Sequence, residues 1–295
     1  MIYFLSLFIS CKESENSADN IYVTEIKKWQ EKRVSDLKAE DGWLNLVGLF
    51  EVQEGENTFG ADASNGIVFP AGKAPGKIGF FLLNEGVVSV NIAPGIQVMA
   101  DSNIVQKMRL MTDKDDKPTT LKLGSLRWYV IQRGENFYVR LRDLESELLK
   151  DFKGIASYPI ASSWRIPAIL QKYDSLKTVP IPNVLGEMID WHSPGALFFE
   201  INGETYKLDA LGKLSDERLF VIFTDETSRD ETYPAGRFMY VETPGKDGKT
   251  FIDFNKAYNP PCAFTPYATC PLPPEQNHLP LRVTAGEKNY DGSGH

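Results

Sequence analysis

The stretch A-L-F-F-E-I-N-G-E-T-Y-K-L-D-A, residues 196–210, decides the fold class. Its central Asn202-Gly203 pair favours a two-residue hairpin turn, because a type I′ turn needs positive φ at both positions. The second arm alternates. Tyr206, Leu208 and Ala210 share one face, while Thr205, Lys207 and Asp209 share the other. That pattern belongs to an antiparallel sheet with one face on a core.

Working outward, the same grammar recurs. Residues 219–223 are apolar on both faces and read as a central strand. Residues 128–132 and 137–142 flank Arg133-Gly134-Glu135-Asn136, a second hairpin turn, and residues 237–241 and 250–255 read as a third hairpin across residues 244–249. Further strands are expected at 43–52, 67–70, 78–83 and 87–92, separated by Gly, Asn and Pro. One amphipathic helix is predicted over residues 21–39, where Tyr22, Ile26, Trp29, Arg33 and Leu37 fall at three- and four-residue steps, with Gly42 as its cap. A short second helix is expected at 144–152. The predicted fold is therefore mainly β: residues 21–295 form a single antiparallel domain, barrel-like or sandwich, with one N-terminal helix and a long Pro-rich C-terminal loop. Two side-by-side β-units are the alternative.

The chain has 295 residues, 42% of them hydrophobic, which is enough for a substantial core. Its net charge of −8 and the lack of a basic block argue against nucleic-acid binding. The start, M-I-Y-F-L-S-L-F-I-S before Cys11, is apolar apart from two serines and reads as a lipoprotein-type signal segment at residues 1–10, shortened at its basic end. Lipidation of Cys11 would then anchor the protein to a membrane of the cell envelope, facing periplasm or cell surface, with residues 11–20 as a polar tether. Such a compartment is oxidising.

This bears on Y-N-P-P-C-A-F-T-P-Y-A-T-C-P-L-P-P, residues 258–274. Its prolines forbid helix and central strand, leaving a stiff loop. Cys262 and Cys270 have three readings: a disulfide, two buried thiols, or a nucleophilic or metal-binding cysteine. No metal or cofactor is expected, because three histidines and these cysteines do not make a recognisable ligand set.

Strand parity supplies the candidate site. Asp225 extends the face of Leu219, Val221 and Phe223, Arg237 shares a face with Met239 and Val241, and Asp253 and Asn255 share one with Phe251. Charges on apolar faces must be paired or line a wet pocket. Tyr138, Arg140 and Arg142 also share a face, which is either solvent-exposed or turned into a barrel lumen. The candidate ligand-binding set is Asp225, Arg237, Asp253, Asn255 and Asn259, with Arg237 recognising an anionic group. The alternatives are a hydrolase using Asp253 or Glu287 as general base, with Cys262 a further catalytic candidate, and a structural or interaction module with Phe264 and Tyr267 exposed.

The run from Phe251 to Pro274, then Asn277 and Ala285-Gly-Glu-Lys288, closely resembles the signature of the domain of unknown function 1684 family. Gly42-Trp-Leu, Asn57-Thr-Phe-Gly60, Trp164-Arg165, Phe223-Thr-Asp-Glu-Thr227 and Gly236-Arg-Phe238 extend the resemblance over most of residues 40–290. It implies bacterial and archaeal proteins, some of them lipoproteins, with no established activity. His278 departs from the arginine expected there, which argues against a shared Cys–His pair.

Overall fold

The computed structural model describes residues 10–291. Helix α1 (Ser10–Lys38) opens it and takes in the segment read as a tether. Of the predicted signal segment, all but Ser10 lies outside the described residues. Ile26 and Leu37 of the helix stripe are fully buried, and Trp29 and Arg33 are half-buried. Gly42 is not a left-handed cap. A Cβ there would stand 2.3 Å from the Leu37 carbonyl oxygen, so only glycine lets the chain fold back across the helix end.

Eleven strands follow: β1 (Leu46–Val52), β2 (Gly55–Gly60), β3 (Ile67–Val68), β4 (Gly79–Asn84), β5 (Val87–Ile92), β6 (Val98–Ala100), β7 (Asn103–Val105), β8 (Lys107–Arg109), β9 (Leu121–Leu123), β10 (Leu126–Arg133) and β11 (Asn136–Asp143). They build a six-stranded sheet in the order β1-β11-β10-β9-β6-β7 and a five-stranded sheet in the order β3-β2-β4-β5-β8. Both sheets feed one core, in which Phe59, Phe69, Phe81 and Trp128 are almost wholly buried.

Helix α2 (Glu147–Asp151) lies within the predicted short helix, capped by the Ser146 hydroxyl. Seven further strands complete the chain: β12 (Arg165–Pro182), β13 (Met188–Ile201), β14 (Glu204–Ala210), β15 (Arg218–Asp225), β16 (Arg237–Glu242), β17 (Lys249–Asp253) and β18 (His278–Leu279). They form the sheets β14-β13-β12-β17 and β16-β15-β18 over a second core centred on Leu219, Val221, Phe223 and Phe254. Two smaller clusters, one around Ile181, Phe238 and Cys270 and one around Leu37, Leu44 and Phe264, fill the seam between the cores, and Trp43 packs against both.

Strand makes up 45% of the structure against 15% helix, so the mainly β, largely antiparallel expectation holds, with one sheet curled into a half-barrel. The hairpin around Asn202-Gly203 forms as expected: Ile201 pairs with Glu204, and φ is 53° at Asn202 and 82° at Gly203. The strand at Leu219 is central, flanked by β16 and β18.

Two expectations fail. Strands β16 and β17 do not make a hairpin, because β16 pairs with β15 while β17 pairs with β12. Strand β17 also ends at Asp253, where the carboxylate accepts the Asn255 N–H and starts a 3₁₀ turn, so strand parity does not carry on to Asn255. The long β12–β13 hairpin escapes a sequence reading because prolines and charges hide its alternation. Pro167 is tolerated there because pairing to β13 begins only at Ala168.

Candidate functional site: an arginine-lined cavity at the seam

A cavity of about 900 Å³ opens where the two β-units meet. One wall is helix α1, through Trp29 and Arg33. The N-terminal unit contributes Trp43, Arg133 and Arg140. The C-terminal sheets contribute Arg165, Trp191, Arg218, Phe220, Phe238 and Tyr240, and the Pro-rich loop supplies Tyr258, Pro261, Thr269 and Cys270. Seven lining residues are basic (Lys32, Arg33, Arg133, Arg140, Arg165, Arg218, Lys256) and four are acidic (Asp36, Asp216, Glu242, Asp253). The lining is thus net positive in a chain of net charge −8, an arrangement that focuses positive potential into the cavity.

Arg140 is the unusual group. It is only 5% exposed. Nη2 donates to Thr269 Oγ1 at 3.2 Å, and Nε is buried without a partner. Among the described residues it forms no ion pair. The Arg133 Nε donates to the same hydroxyl at 3.2 Å, but Arg133 is neutralised by Asp113, 2.6 Å away. The Trp43 ring lies 5.3 Å below the Arg140 guanidinium. Burial, together with the nearby Arg133 and Arg142 charges, pushes the Arg140 pKa down. Burial alone would raise the Tyr129 phenol, but Arg140 and Arg142 outweigh it and hold that pKa below its usual range. An isolated buried cation is costly, and a cavity-facing guanidinium without a counter-charge is a built anion site.

The residues expected from strand parity fare differently. Arg237 is fully buried, lines none of the cavities described, and is consumed internally: Nη2 meets Asp225 Oδ1 at 3.2 Å and the Val283 carbonyl at 3.1 Å, and Nη1 donates to the Ala285 carbonyl. The anion-recognising role given to Arg237 is therefore corrected. Asp225 is equally committed, to Arg237, Thr227 and the Val283 N–H. Asn259 donates from Nδ2 to the Lys288 carbonyl and from its backbone to Glu287 Oε2, and Asn255 ties both Ala161 backbone groups to Tyr22. These four side chains are structural fasteners and leave the proposed ligand set.

Asp253 alone of that set lines the cavity, and its Oδ1 accepts the Tyr22 hydroxyl at 2.7 Å. Glu287 is sealed from the cavity. Burial pushes its carboxyl up, against Arg33 Nε at 3.2 Å and the Asn259 N–H, so it has no access to substrate as a general base. Cys262 and Cys270 form a disulfide with Cα atoms 6.2 Å apart. Neither thiol is free, so the nucleophile, metal-ligand and buried-thiol readings are corrected, and Cys270 instead sits in the cavity wall beside Thr269. Phe264 is buried and Tyr267 is 36% exposed, so the loop presents one aromatic ring outward rather than two.

Sequence reasoning placed Arg140 on a face with Tyr138 and Arg142 but had no means to bring Thr269 or Trp191 to it. Thr269 is 129 positions away, and only the tertiary fold closes that distance.

Residues 150–288 match the family described as Protein of unknown function (DUF1684). The short motifs between residues 42 and 60 lie outside that match, as do Arg133 and Arg140. Among solved structures, an uncharacterized protein of Haloarcula marismortui, determined by solution NMR, is 32% identical over 48% of this chain and 80% of that chain, with a TM-score of 0.41. No curated protein matches. The matched stretch runs from the end of α2 through the disulfide loop to Lys288, and over it the chain is similar to the DUF1684 family of proteins of unknown function.

Proposed function

We propose that this protein binds a small anionic molecule in the seam cavity, with its acid group on Arg140 and the Thr269 hydroxyl. The observation that supports it is Arg140: a cavity-lining guanidinium, almost fully buried, with an orphan Nε and no carboxylate partner among the described residues. Charge-assisted bonds to such a group are strong in a partly desolvated site. The disulfide loop stiffens the wall that carries Thr269, which lowers the ordering cost of binding. The same reading keeps Cys11 as the lipid anchor and the cell envelope as the location.

The test is thermal unfolding of the purified protein with a panel of carboxylates and phosphates. At least one should raise the melting temperature of wild type while leaving Arg140→Gln unmoved. Equal shifts in both proteins, or none in either, would sink the proposal. Intact-mass measurement of membrane-extracted protein tests the anchor, with an unmodified Cys11 counting against it.

A further inference from the structure

The chemistry opposite Arg140 narrows the ligand class, on the reading that the cavity binds an anion. Trp191, Phe220, Tyr240 and Tyr258 line one continuous wall, with successive ring centroids 5.7, 5.1 and 6.5 Å apart. None is fully covered, and Tyr240 is 46% exposed. The Arg218 and Arg33 guanidinium groups lie over the Tyr240 and Tyr258 rings, at 4.9 and 4.6 Å, and the partly exposed aromatic surface that remains favours a ring with an apolar face. A purely apolar ring does not suit the remaining groups. Glu242 lines the cavity at an exposed position, and among the described residues its carboxylate makes no hydrogen bond or ion pair, so it is free to accept from the hydroxyls of a ligand. The Trp191 indole N–H is buried with no acceptor. A simple anion would offer Glu242 no donor and would face it as a like charge.

We infer that the ligand is an acidic sugar: a ring whose C–H face stacks on this aromatic wall, whose hydroxyls donate to Glu242, and whose carboxylate or phosphate sits on Arg140. The hydroxyls engage the exposed Glu242 carboxylate, and stacking uses the aromatic surface left partly exposed. Each partnered charged hydrogen bond is worth roughly tenfold in affinity.

Calorimetric titration of the full chain separates the possibilities, with glucuronate, galacturonate and glucose 6-phosphate as acidic sugars, glucose as the neutral sugar and benzoate as the acid without hydroxyls. At least one acidic sugar should bind about tenfold or more tighter than both glucose and benzoate. Arg140→Gln should erase the preference over glucose, and Glu242→Gln the preference over benzoate. Tyr240→Ala, at a half-exposed position, should weaken the acidic sugar about tenfold, with the unfolding midpoint of the variant as the check that it folds. Benzoate binding as tightly as every acidic sugar overturns the sugar class and leaves the anion site standing. Glucose binding as tightly as the acids overturns the anion site, and binding of none of these probes overturns the acidic sugar.

Discussion

Arg140 Nη2 lies 3.2 Å from the Thr269 hydroxyl and meets no carboxylate among the described residues. Arg237 is just as buried and its Nε is likewise unpartnered, but its Nη2 lies 3.2 Å from Asp225 Oδ1 and its Nη groups also reach the Ala285 and Val283 carbonyls. The two arginines should therefore respond oppositely to the same substitution. Arg140→Met removes an uncompensated buried charge and should stabilise the ligand-free protein by about 1–4 kcal/mol, whereas Arg237→Met strands Asp225 and should cost about 3–5 kcal/mol. Urea unfolding of both variants beside wild type checks this, and destabilisation by Arg140→Met would contradict an unpaired role.

Glu187, at the tip of the β12–β13 hairpin, reaches the N-terminal unit. Its Oε1 accepts Asn136 Nδ2 at 3.1 Å and the Tyr138 hydroxyl at 2.9 Å, and Oε2 accepts Asn183 Nδ2 at 2.9 Å. Partial burial pulls its carboxyl up, but these donors and Arg133 prevail and its pKa lies below the ordinary value. A depressed carboxylate contributes fully above the unfolded pKa of about 4.3 and loses that contribution as the pH falls through the folded value. Stability should thus drop faster with acid in wild type than in Glu187→Gln, as read from urea midpoints between neutral and acidic pH.

Reducing the Cys262–Cys270 bridge frees a short loop whose prolines already limit the unfolded chain. The loss should be about 2 kcal/mol or less. Because Thr269 adjoins Cys270 in the cavity wall, Cys262→Ser with Cys270→Ser should also weaken any anion that depends on Arg140. Unfolding and calorimetry on the double variant give both readouts, and unchanged anion affinity would mean the loop holds its shape without the bridge.

Asn255→Ala should destabilise by about 2–3 kcal/mol, since it strands the Ala161 N–H and carbonyl and removes one of the two hydrogen bonds of the Tyr22 hydroxyl, leaving the one to Asp253. Hydrogen exchange should then quicken in α1, where Tyr22 fastens the helix to the β17 turn. Protection unchanged in α1 would show that the packing of Ile26 and Leu37 suffices.

Much of the local structure was legible along the chain. The Asn202-Gly203 turn, the apolar strand at Leu219 and the stripe from Tyr22 to Leu37 each depend on φ preferences or periodicity within a few residues. Failures came where partners are distant. Strand β17 is followed by a turn set by its own Asp253 side chain, and β16 and β17 are neighbours in sequence that enter different sheets. Proline hid β12, because tolerance of Pro167 depends on which neighbour lies beside it.

By itself, then, the sequence determined a β-rich chain, a stiff proline loop with two cysteines, and arginines and carboxylates on otherwise apolar strand faces. Only the tertiary structure decided which of those charges is spent. Arg237 and Asp225 neutralise each other inside the C-terminal unit, while Arg140 is left facing a cavity whose other wall comes from a loop 129 positions away. The physical reason is that burial and charge pairing are properties of spatial neighbours, and strand parity tells which way a side chain points without telling what waits there.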